Sequence, residues 1–230
     1  MAAITHCVFD AYGTLFDVGA AARDAAAEEA FEVIKDSWQP VAETWRDKQL
    51  AYTWLRATSG CHTDFWTVTK QALDWTLEYY ELTAVEGLRD RLLALYWELA
   101  PFEEVQRTLT ALKGMEQTLA ILSNGEPEML EAAVTSARLG GLFDAVLSAE
   151  QVGVFKPHAR VYDLVEKTFG CPRQEVLFVS SNGWDACCAA AYGFRTLWVN
   201  RRQEPVDRLP VRPNFVADTL VGLPRVIESL

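Results

Sequence analysis

Val8-Phe9-Asp10-Ala11-Tyr12-Gly13-Thr14-Leu15-Phe16-Asp17 stands near the start of the chain, where it closes an apolar run from Thr5 to Phe9. A short apolar run that ends in a turn is typical of a buried strand. A carboxylate at its end, followed by glycine and a hydroxyl, presents a nucleophile among backbone N–H groups. The same pattern also fits a turn aspartate or a helix cap, so Asp10 alone leaves both interpretations open.

Three later apolar runs have the same strand length: Leu119 to Leu122, Val176 to Val179 and Thr196 to Val199. The segments between them have helical spacing, and one of these segments closes at Gly170, a typical helix end. Alternating apolar strands and helices predict a parallel sheet that is covered on both faces. The fold class is therefore predicted to be α/β.

Residues 18–99 break this alternation, because they contain four helical patterns and no convincing strand. Their apolar stripes are Phe31, Ile34 and Trp38; Val41, Trp45 and Tyr52; Phe65, Val68, Ala72, Trp75 and Tyr79; and Val85, Leu88, Leu92, Leu95 and Leu99. Thr83 and Glu86 form a capping-box pattern that predicts the start of the fourth helix. A helical insertion after the first strand lies over the sheet edge where α/β proteins bind ligands. We predict a catalytic core of residues 1–16 and 100–230 and a helical cap of residues 17–99.

The composition excludes several classes of partner. The chain has 21 Lys and Arg against 32 Asp and Glu, a formal charge of −11, which argues against a nucleic-acid surface and gives no attraction to an anionic membrane. Its five cysteines are an odd set without CxxC spacing, so neither a disulfide framework nor a zinc site is predicted. The sequence has no signal-peptide pattern and no membrane-span pattern. These features predict a cytoplasmic protein with reduced thiols.

Polar residues follow the later apolar runs in the order expected of a catalytic sheet edge. The segments are Ile121-Leu122-Ser123-Asn124-Gly125, Val154-Phe155-Lys156-Pro157 and Phe178-Val179-Ser180-Ser181-Asn182-Gly183-Trp184-Asp185. Together with Asp10, this order of Asp, Ser, Lys and Asp resembles the haloacid dehalogenase superfamily along the whole chain. The resemblance implies a doubly wound parallel sheet, a Rossmann-like core, with an inserted all-helical cap.

Two departures separate this chain from the magnesium-dependent phosphatases that make up most of that superfamily. The phosphatases carry a second aspartate two residues after the nucleophile, where this chain has Tyr12. They also carry an acidic metal ligand where this chain has Ser181 or Asn182, so Asp185 is the sole carboxylate of that motif. A phosphate-transfer site in this chain would lack its general acid and one of the acidic ligands of its magnesium ion. We therefore expect no metal and no other cofactor.

The same departures are typical of the L-2-haloacid dehalogenases of the superfamily. The resemblance is close in three strings: FDAYGTLFDV, WRDKQLAYTWLR and LFVSSNGWD. It implies hydrolysis of short-chain L-2-haloacids to D-2-hydroxyacids, in which Asp10 displaces halide and water then cleaves the aspartyl ester. Halide leaves without a proton, so an acid at position 12 would contribute little. The implied partners are the haloacid, the halide ion and a second copy of the chain in a homodimer.

The resemblance also implies a set of site residues. The catalytic set is Asp10, Thr14, Arg46, Ser123, Asn124, Lys156, Tyr162, Ser180, Asn182 and Asp185. The apolar wall around the substrate is Tyr12, Leu50, Phe65 and Trp184. Lys156 would pair with the nucleophile and the substrate carboxylate, while Arg46 and Asn124 would hold the halide. Ser123 would donate to the substrate carboxylate, and Asp185 would accept from Lys156 and help to activate water.

Each of these residues also has an ordinary structural interpretation. Lys156 could be an exposed loop side chain, and Ser123 or Asn124 could cap a helix that begins at Pro127. Arg46 could pair with Asp47 or Glu43 on a helix surface. Asp185 could be a purely structural anion, and the aromatic residues could be core. Two rival functions remain open, an atypical metal-dependent phosphatase and a non-catalytic binding protein on the same fold.

Overall fold

A computed structural model describes residues 3–230. Its centre is a parallel sheet with the strand order β3-β2-β1-β4-β5-β6. The strands are β1 (His6–Phe9), β2 (Thr118–Ser123), β3 (Ala145–Ser148), β4 (Val176–Ser180), β5 (Arg195–Val199) and β6 (Phe215–Ala217). The α/β prediction is confirmed. Strand order reverses beside the central β1, and such a switch point opens a crevice at the carboxyl ends of the strands.

The register of the central strands places the polar residues of the sequence motifs at one edge. Phe9 of β1 lies beside Ile121 of β2 and Val179 of β4. Each of these three residues is fully buried, so the strands are fixed on both faces by packing. The residues that follow, Asp10 after β1 and Ser180 after Val179, therefore emerge side by side at the crevice.

Nine α-helices follow in chain order within the described residues. They are α1 (Ala20–Ala26), α2 (Trp38–Ser59), α3 (Phe65–Tyr79), α4 (Leu88–Tyr96), α5 (Val105–Gly114), α6 (Pro127–Ser136), α7 (Ala159–Phe169), α8 (Gly183–Tyr192) and α9 (Leu223–Glu228). The first four form the helical insertion between β1 and α5, and α2 packs mainly on α3. None of the helices in residues 3–230 combines the length and apolar character needed to cross a membrane.

Two details of the insertion differ from the sequence prediction. The stripe that starts at Phe31 belongs to a 3-10 turn (Glu29–Ile34), and its last residue, Trp38, begins α2. The capping box at Thr83 is wrong, because α4 begins at Leu88 after Gly87. Gly87 has a φ of +75°, a left-handed conformation that interrupts the helical path, so the residues before it form turns.

The two connections between the insertion and the sheet run next to each other. The Asp17 backbone N–H donates to the Ala100 carbonyl at 2.9 Å, and the Phe102 N–H donates to the Leu15 carbonyl at 3.0 Å. This pairing brings the returning chain back to the end of β1. The helical insertion is thereby placed above the carboxyl end of β1, over the crevice.

Candidate active site

Asp10 follows β1 and is held in a tight turn. Its N–H donates to the Val179 carbonyl at 2.9 Å, which continues the pairing with β4 beyond the last strand residue. Gly13 has a φ of +87° and turns the chain back, so that the Thr14 hydroxyl donates to Asp10 Oδ2 at 3.0 Å. Asp10 is only 6% exposed. The turn therefore presents a carboxylate that is nearly removed from solvent.

Lys156 is the cation beside this carboxylate. Its Nζ donates to Asp10 Oδ1 at 3.2 Å and to Asp185 Oδ2 at 2.9 Å, and the side chain is 1% exposed. Burial lowers the pKa of Lys156, but attraction to Asp185 and Asp10 outweighs burial and leaves that pKa above its ordinary value. Lys156 is therefore a permanent buried cation. The interpretation of Lys156 as an exposed loop side chain is wrong.

Asp185 lies behind Lys156 and is fully buried. Tyr162 donates its hydroxyl to Asp185 Oδ1 at 2.7 Å, and the Ser180 hydroxyl donates to Oδ2 at 3.3 Å. Burial raises the pKa of Asp185, while the charge of Lys156 opposes that shift. Burial together with Asp185 also holds the pKa of Tyr162 well above its usual range, so its hydroxyl stays a donor. The anion that orients Lys156 thus has hydrogen bonds to both of its oxygens.

The two oxygens of Asp10 have different surroundings. Oδ2 accepts from the Thr14 hydroxyl and also from Asn182 Nδ2 at 2.9 Å, whereas Oδ1 accepts, among residues 3–230, from Lys156 alone. An oxygen with more donors has less electron density available for attack, because its lone pairs are engaged. Oδ1 is therefore the better placed nucleophile, and Oδ2 sits where donors stabilise charge on an ester carbonyl.

Ser123 ends β2, Asn124 follows it, and both face the same site. The Asn124 side-chain oxygen accepts from the Lys156 backbone N–H at 2.8 Å, and Ser123 Oγ accepts from the Gly125 N–H at 3.1 Å. The residue that precedes α6 is Glu126, so neither Ser123 nor Asn124 caps that helix, and the capping interpretation is wrong. Because the Ser123 oxygen accepts from a backbone N–H, its own proton remains available to a ligand.

Position 125 requires glycine because the ring of Tyr12 lies too close to it for a side chain. A Cβ atom there would lie 2.7 Å from Cε2 of Tyr12, a distance that real side chains do not tolerate. Tyr12 itself stacks between Phe65 at 5.7 Å and Tyr96 at 5.6 Å between ring centroids. The absence of a side chain at Gly125 therefore lets Tyr12 lie flat against the end of β2 as part of the site's wall.

Arg46 reaches the site from α2. Its Nη1 donates to Gln49 Oε1 at 2.7 Å, and its Nη2 donates to the Tyr12 carbonyl at 3.3 Å. No ion pair of Arg46 exists within residues 3–230, and Glu43 instead pairs with Arg202 at 2.9 Å. The interpretation of Arg46 as a surface residue paired with Asp47 or Glu43 is therefore wrong. Its positive charge is directed inward and is not neutralised by an acidic neighbour.

These residues enclose a small, narrow cavity between the sheet and the insertion. Its lining consists of Asp10, Tyr12, Arg46, Leu50, Phe65, Ser123, Asn124, Lys156, Asn182 and Trp184. All ten are residues that the sequence analysis singled out. Of the other predicted residues, Thr14 contacts Asp10, whereas Tyr162 and Ser180 contact Asp185, which supports Lys156 from behind. The structure thus brings the predicted set together around one carboxylate.

A wider cleft leads outward from the cavity along the seam between insertion and sheet. The two spaces share Arg46, Leu50, Asn182 and Trp184 in their linings, so these side chains stand between the cavity and solvent. Trp184 packs edge to face on Trp54 of α2 at 5.3 Å. This contact connects the start of α8 to the insertion at the mouth of the cavity.

Sequence reasoning missed two residues that support the site. Gln49 is a buried amide that contacts Arg46, and its only sequence signal is a spacing of three residues from Arg46 on one helix. Arg201 lies two residues after β5, and its guanidinium donates to the Thr14 carbonyl at 2.9 Å and to Glu104 at 2.6 Å. An arginine after a strand carries no local signal of such a contact. Within residues 3–230, no three His, Cys, Asp or Glu side chains are grouped as metal ligands.

Comparison with known proteins gives consistent matches over nearly the whole chain. The sequence profile of the haloacid dehalogenase-like hydrolases matches residues 4–193. The (S)-2-haloacid dehalogenase of Pseudomonas fluorescens is 39% identical over 220 residues, 96% of this chain and 95% of that protein. The (S)-2-haloacid dehalogenase of Xanthobacter autotrophicus is 39% identical over an alignment of 250 positions, which covers 99% of this chain and 96% of that protein.

Solved structures give the same result. A crystal structure of an L-2-haloacid dehalogenase superposes with a TM-score of 0.92 at 38% identity, covering 99% of this chain and all of that one. The structure of the Xanthobacter autotrophicus L-2-haloacid dehalogenase with chloropropionic acid covalently bound superposes with a TM-score of 0.87 at 36% identity, covering 99% of each chain.

Proposed function

Because the chain belongs to the haloacid dehalogenase-like hydrolase family, we propose that it is an enzyme that hydrolyses short-chain L-2-haloacids to D-2-hydroxyacids. The observation that carries this proposal is one pair of facing groups. Asp10 Oδ1 lines a small cavity beside a buried cation, and the un-neutralised guanidinium of Arg46 lines the same cavity from α2. A carbon–halogen bond between these groups meets a nucleophile at one end and a positive charge at the other.

In the first step, Asp10 Oδ1 attacks the α carbon in line with the carbon–halogen bond. A carbon–oxygen bond forms, the carbon–halogen bond breaks, and the electron pair of that bond leaves with the halide. Arg46 and Asn124 stabilise the charge as it develops on the halide. Lys156 and the free proton of Ser123 bind the substrate carboxylate. Back-side attack inverts the configuration at the α carbon.

In the second step, water attacks the carbonyl carbon of the Asp10 ester. The negative charge that develops on Oδ2 meets the Thr14 hydroxyl and Asn182 Nδ2, the two donors already in place. The acyl–oxygen bond then breaks, and the leaving alkoxide takes up the second proton of the attacking water, so the hydroxyacid leaves with the former Oδ1 and Asp10 is restored as a carboxylate with an oxygen from water. Asp185, acting with Lys156, polarises the attacking water, and the proton that water loses passes to solvent.

The walls of the cavity account for the choice of substrate. Tyr12, Leu50, Phe65 and Trp184 surround the space with apolar surface, which suits the alkyl group and the halogen of a short-chain haloacid. A halide leaving group needs no proton, so an apolar residue at position 12 excludes water from the nucleophile without loss of chemistry.

The two parts of the chain divide this work. We assign residues 1–16 and 100–230 to a catalytic core and residues 17–99 to a cap, because the nucleophile follows β1 and Lys156 lies in the loop before α7, whereas Arg46, Leu50 and Phe65 come from helices of the insertion. The free thiols of Cys7 and Cys187, both buried, support a reducing, cytoplasmic setting.

We also propose that the chain forms a homodimer through the outer face of the cap. Leu55 on α2 is 65% exposed and Tyr79 on α3 is 64% exposed, and both are large apolar side chains that a partner surface would cover. Sedimentation analysis should give twice the mass of the chain for the wild type and a lower mass for L55E. A wild-type chain that sediments as a monomer at micromolar concentration would refute the dimer.

A single turnover in heavy-oxygen water, with enzyme in excess of 2-chloropropionate and a chelator present, tests the reaction. Unlabelled 2-hydroxypropionate together with heavy oxygen in the peptide that contains Asp10 is the expected result. Label in the first-turnover product with an unlabelled peptide would mean direct attack by water and would remove the ester. Phosphate release from simple esters that requires magnesium, without halide release, would instead favour the phosphatase reaction.

A further inference from the structure

Gln49 is a buried side chain to which the proposed reaction assigns no role. It is 1% exposed and lies three residues after Arg46 on α2, on the face that packs against α3 and the core. Its carbonyl oxygen accepts from Arg46 Nη1 at 2.7 Å, a short hydrogen bond to a charged donor. A residue in this position controls where the guanidinium points.

The orientation of the Gln49 amide follows from its neighbours. The Thr69 hydroxyl donates to the Phe65 carbonyl at 2.8 Å, one turn earlier in α3, so its single proton is already used. Thr69 Oγ1 can then only accept, and it does so from Gln49 Nε2 at 2.7 Å. Because the nitrogen must face Thr69, the oxygen must face Arg46. The direction of the amide is therefore set by the hydrogen-bond network and not by the choice of rotamer alone.

The anchor of this network is rigid. Gln49 Nε2 also donates to the Tyr96 hydroxyl at 3.1 Å, and Tyr96 is 4% exposed. Trp45 fixes the same turn of α3, because its indole N–H donates to the Thr69 carbonyl at 2.9 Å. A hydrogen-bonded group that is buried on every side loses little further entropy when it orients a neighbour.

Both acceptors that hold Arg46 are neutral. One is the Gln49 amide oxygen and the other is the Tyr12 carbonyl at 3.3 Å. A carboxylate at either place would also orient the guanidinium, but it would cancel the charge that the leaving halide needs. Neutral acceptors fix the direction of the guanidinium and leave its charge uncompensated.

We propose that Gln49 is a positioning residue that aims the uncompensated charge of Arg46 at the halide through a neutral carbonyl, an inference that rests on the proposed dehalogenation. Replacement by leucine removes the acceptor, so Arg46 loses its direction. Replacement by glutamate keeps an acceptor but pairs the guanidinium with a negative charge. Both changes weaken halide binding, and the glutamate change weakens it more.

The experiment compares Q49L and Q49E with T53V and the wild type. Thr53 is fully buried on the same face of α2, and its hydroxyl donates within its own helix, to the Leu50 carbonyl at 2.7 Å. T53V is thus a matched control for loss of a buried polar group. The measurements are the bromide inhibition constant, kcat for 2-chloro- and 2-bromopropionate, and chloride binding by chlorine-35 NMR line broadening, which needs no turnover. The Tm of each variant reports on its fold.

Loss of a hydrogen bond to a charged group should lower kcat in Q49L by about tenfold to a hundredfold. The loss should be larger with chloride than with bromide as leaving group, because the smaller ion has the more concentrated charge. Halide binding should weaken in Q49L, weaken further in Q49E, and stay at the wild-type value in T53V.

Equal losses for both halides, with halide binding unchanged in Q49L and Q49E, would assign Gln49 a purely structural role and overturn the proposal. If the wild type binds chloride but does not release halide from haloacids, the proposed reaction is wrong. The chloride binding of Q49L, Q49E and T53V then still tests the role of Gln49. A wild type that neither binds nor releases halide would overturn both.

Discussion

The two walls of the cavity are built in different ways. The wall on the sheet contains an ionic network beyond the carboxyl ends of the strands, where Lys156 at 1% exposure joins Asp10 and Asp185. The wall on the insertion is formed by apolar side chains and one guanidinium held by neutral oxygens. Buried charges need fixed partners on every side, and a parallel sheet edge provides them. Bond making therefore depends on the wall on the sheet, whereas the wall on the insertion adds the shape of the cavity and one directed charge.

The largest effect should come from the nucleophile on the sheet wall. Replacing Asp10 by alanine should lower kcat by roughly 10⁴-fold or more, because loss of a covalent nucleophile leaves only binding contributions. Halide release from 2-chloropropionate is the measurement. The matched control is D17N, which alters an aspartate of the same motif that pairs with Arg23 at the surface. Residual D10A activity near the wild-type rate would place the nucleophile elsewhere.

The next effect tests the ionic network as a source of stability. K156M leaves two buried carboxylates without their cation, so the free energy of unfolding at pH 7 should fall by about 3 to 5 kcal/mol, with activity lost. K113M removes an ammonium that pairs with Asp144 at the surface, where side chains are 34% and 40% exposed, and should cost about 0 to 1 kcal/mol. Urea unfolding of both variants measures the difference. Similar losses for both would mean that burial does not distinguish the two pairs.

A smaller effect is expected from the helical wall. R46L should lower kcat by about 10²- to 10³-fold, the usual cost of removing one group that stabilises transition-state charge. Its unfolding midpoint in urea should stay near the wild-type value, because Arg46 leaves no ionic partner behind in the part of the chain that the structure describes. R56L on the same helix, whose guanidinium bonds to Gln71 and the Cys61 carbonyl, serves as control. A large loss of stability in R46L would contradict the difference between the two walls, because a charged group would then contribute to stability on both.

The smallest effect is a shift in pH dependence on the sheet wall. Burial raises the pKa of Asp185, so activity should fall on the acid side at a pH above the ordinary aspartate value of about 3.9, as Asp185 is protonated and releases Lys156. Tyr162 donates to the ionised carboxylate, and Y162F should therefore raise that pKa further and move the acid limb to higher pH.

Profiles of kcat/KM against pH measure this shift. Y192F is the matched control, because Tyr192 packs on Tyr162 but donates to Asp163 and Glu166 near the surface. An acid limb that stays in place in Y162F would mean that a group other than Asp185 controls it.

Prediction from the sequence succeeded where local pattern and tertiary burial agree. The four predicted strands are the buried ones, whose continuous apolar runs are visible in any window. β3 and β6 were missed because each is a short strand at a sheet edge, where only part of the residues is buried. α1 was missed because its buried residues are alanines, which give little contrast between the faces of a helix.

The site shows the same division. Residues that emerge at strand ends, such as Asp10, Asn124 and Asn182, could be singled out because motif order along the chain becomes proximity at the sheet edge. Gln49 and Arg201 were missed because their partners are distant in sequence: Tyr96 lies 47 residues after Gln49, and Thr14 lies 187 residues before Arg201. The contacts of Gln49 exist only once the helices of the insertion pack together, and those of Arg201 exist only once the segment after β5 packs against the turn after β1, so no local spacing encodes them.

The paired connections at residues 15–17 and 100–102 have an evolutionary consequence. Because the chain leaves the sheet and returns to it through two adjacent, mutually bonded segments, the ends of the inserted helices lie together. A genetic exchange of everything between those ends would leave the nucleophile and its cation untouched. This architecture allows the substrate specificity of one catalytic core to change through replacement of the whole helical insertion.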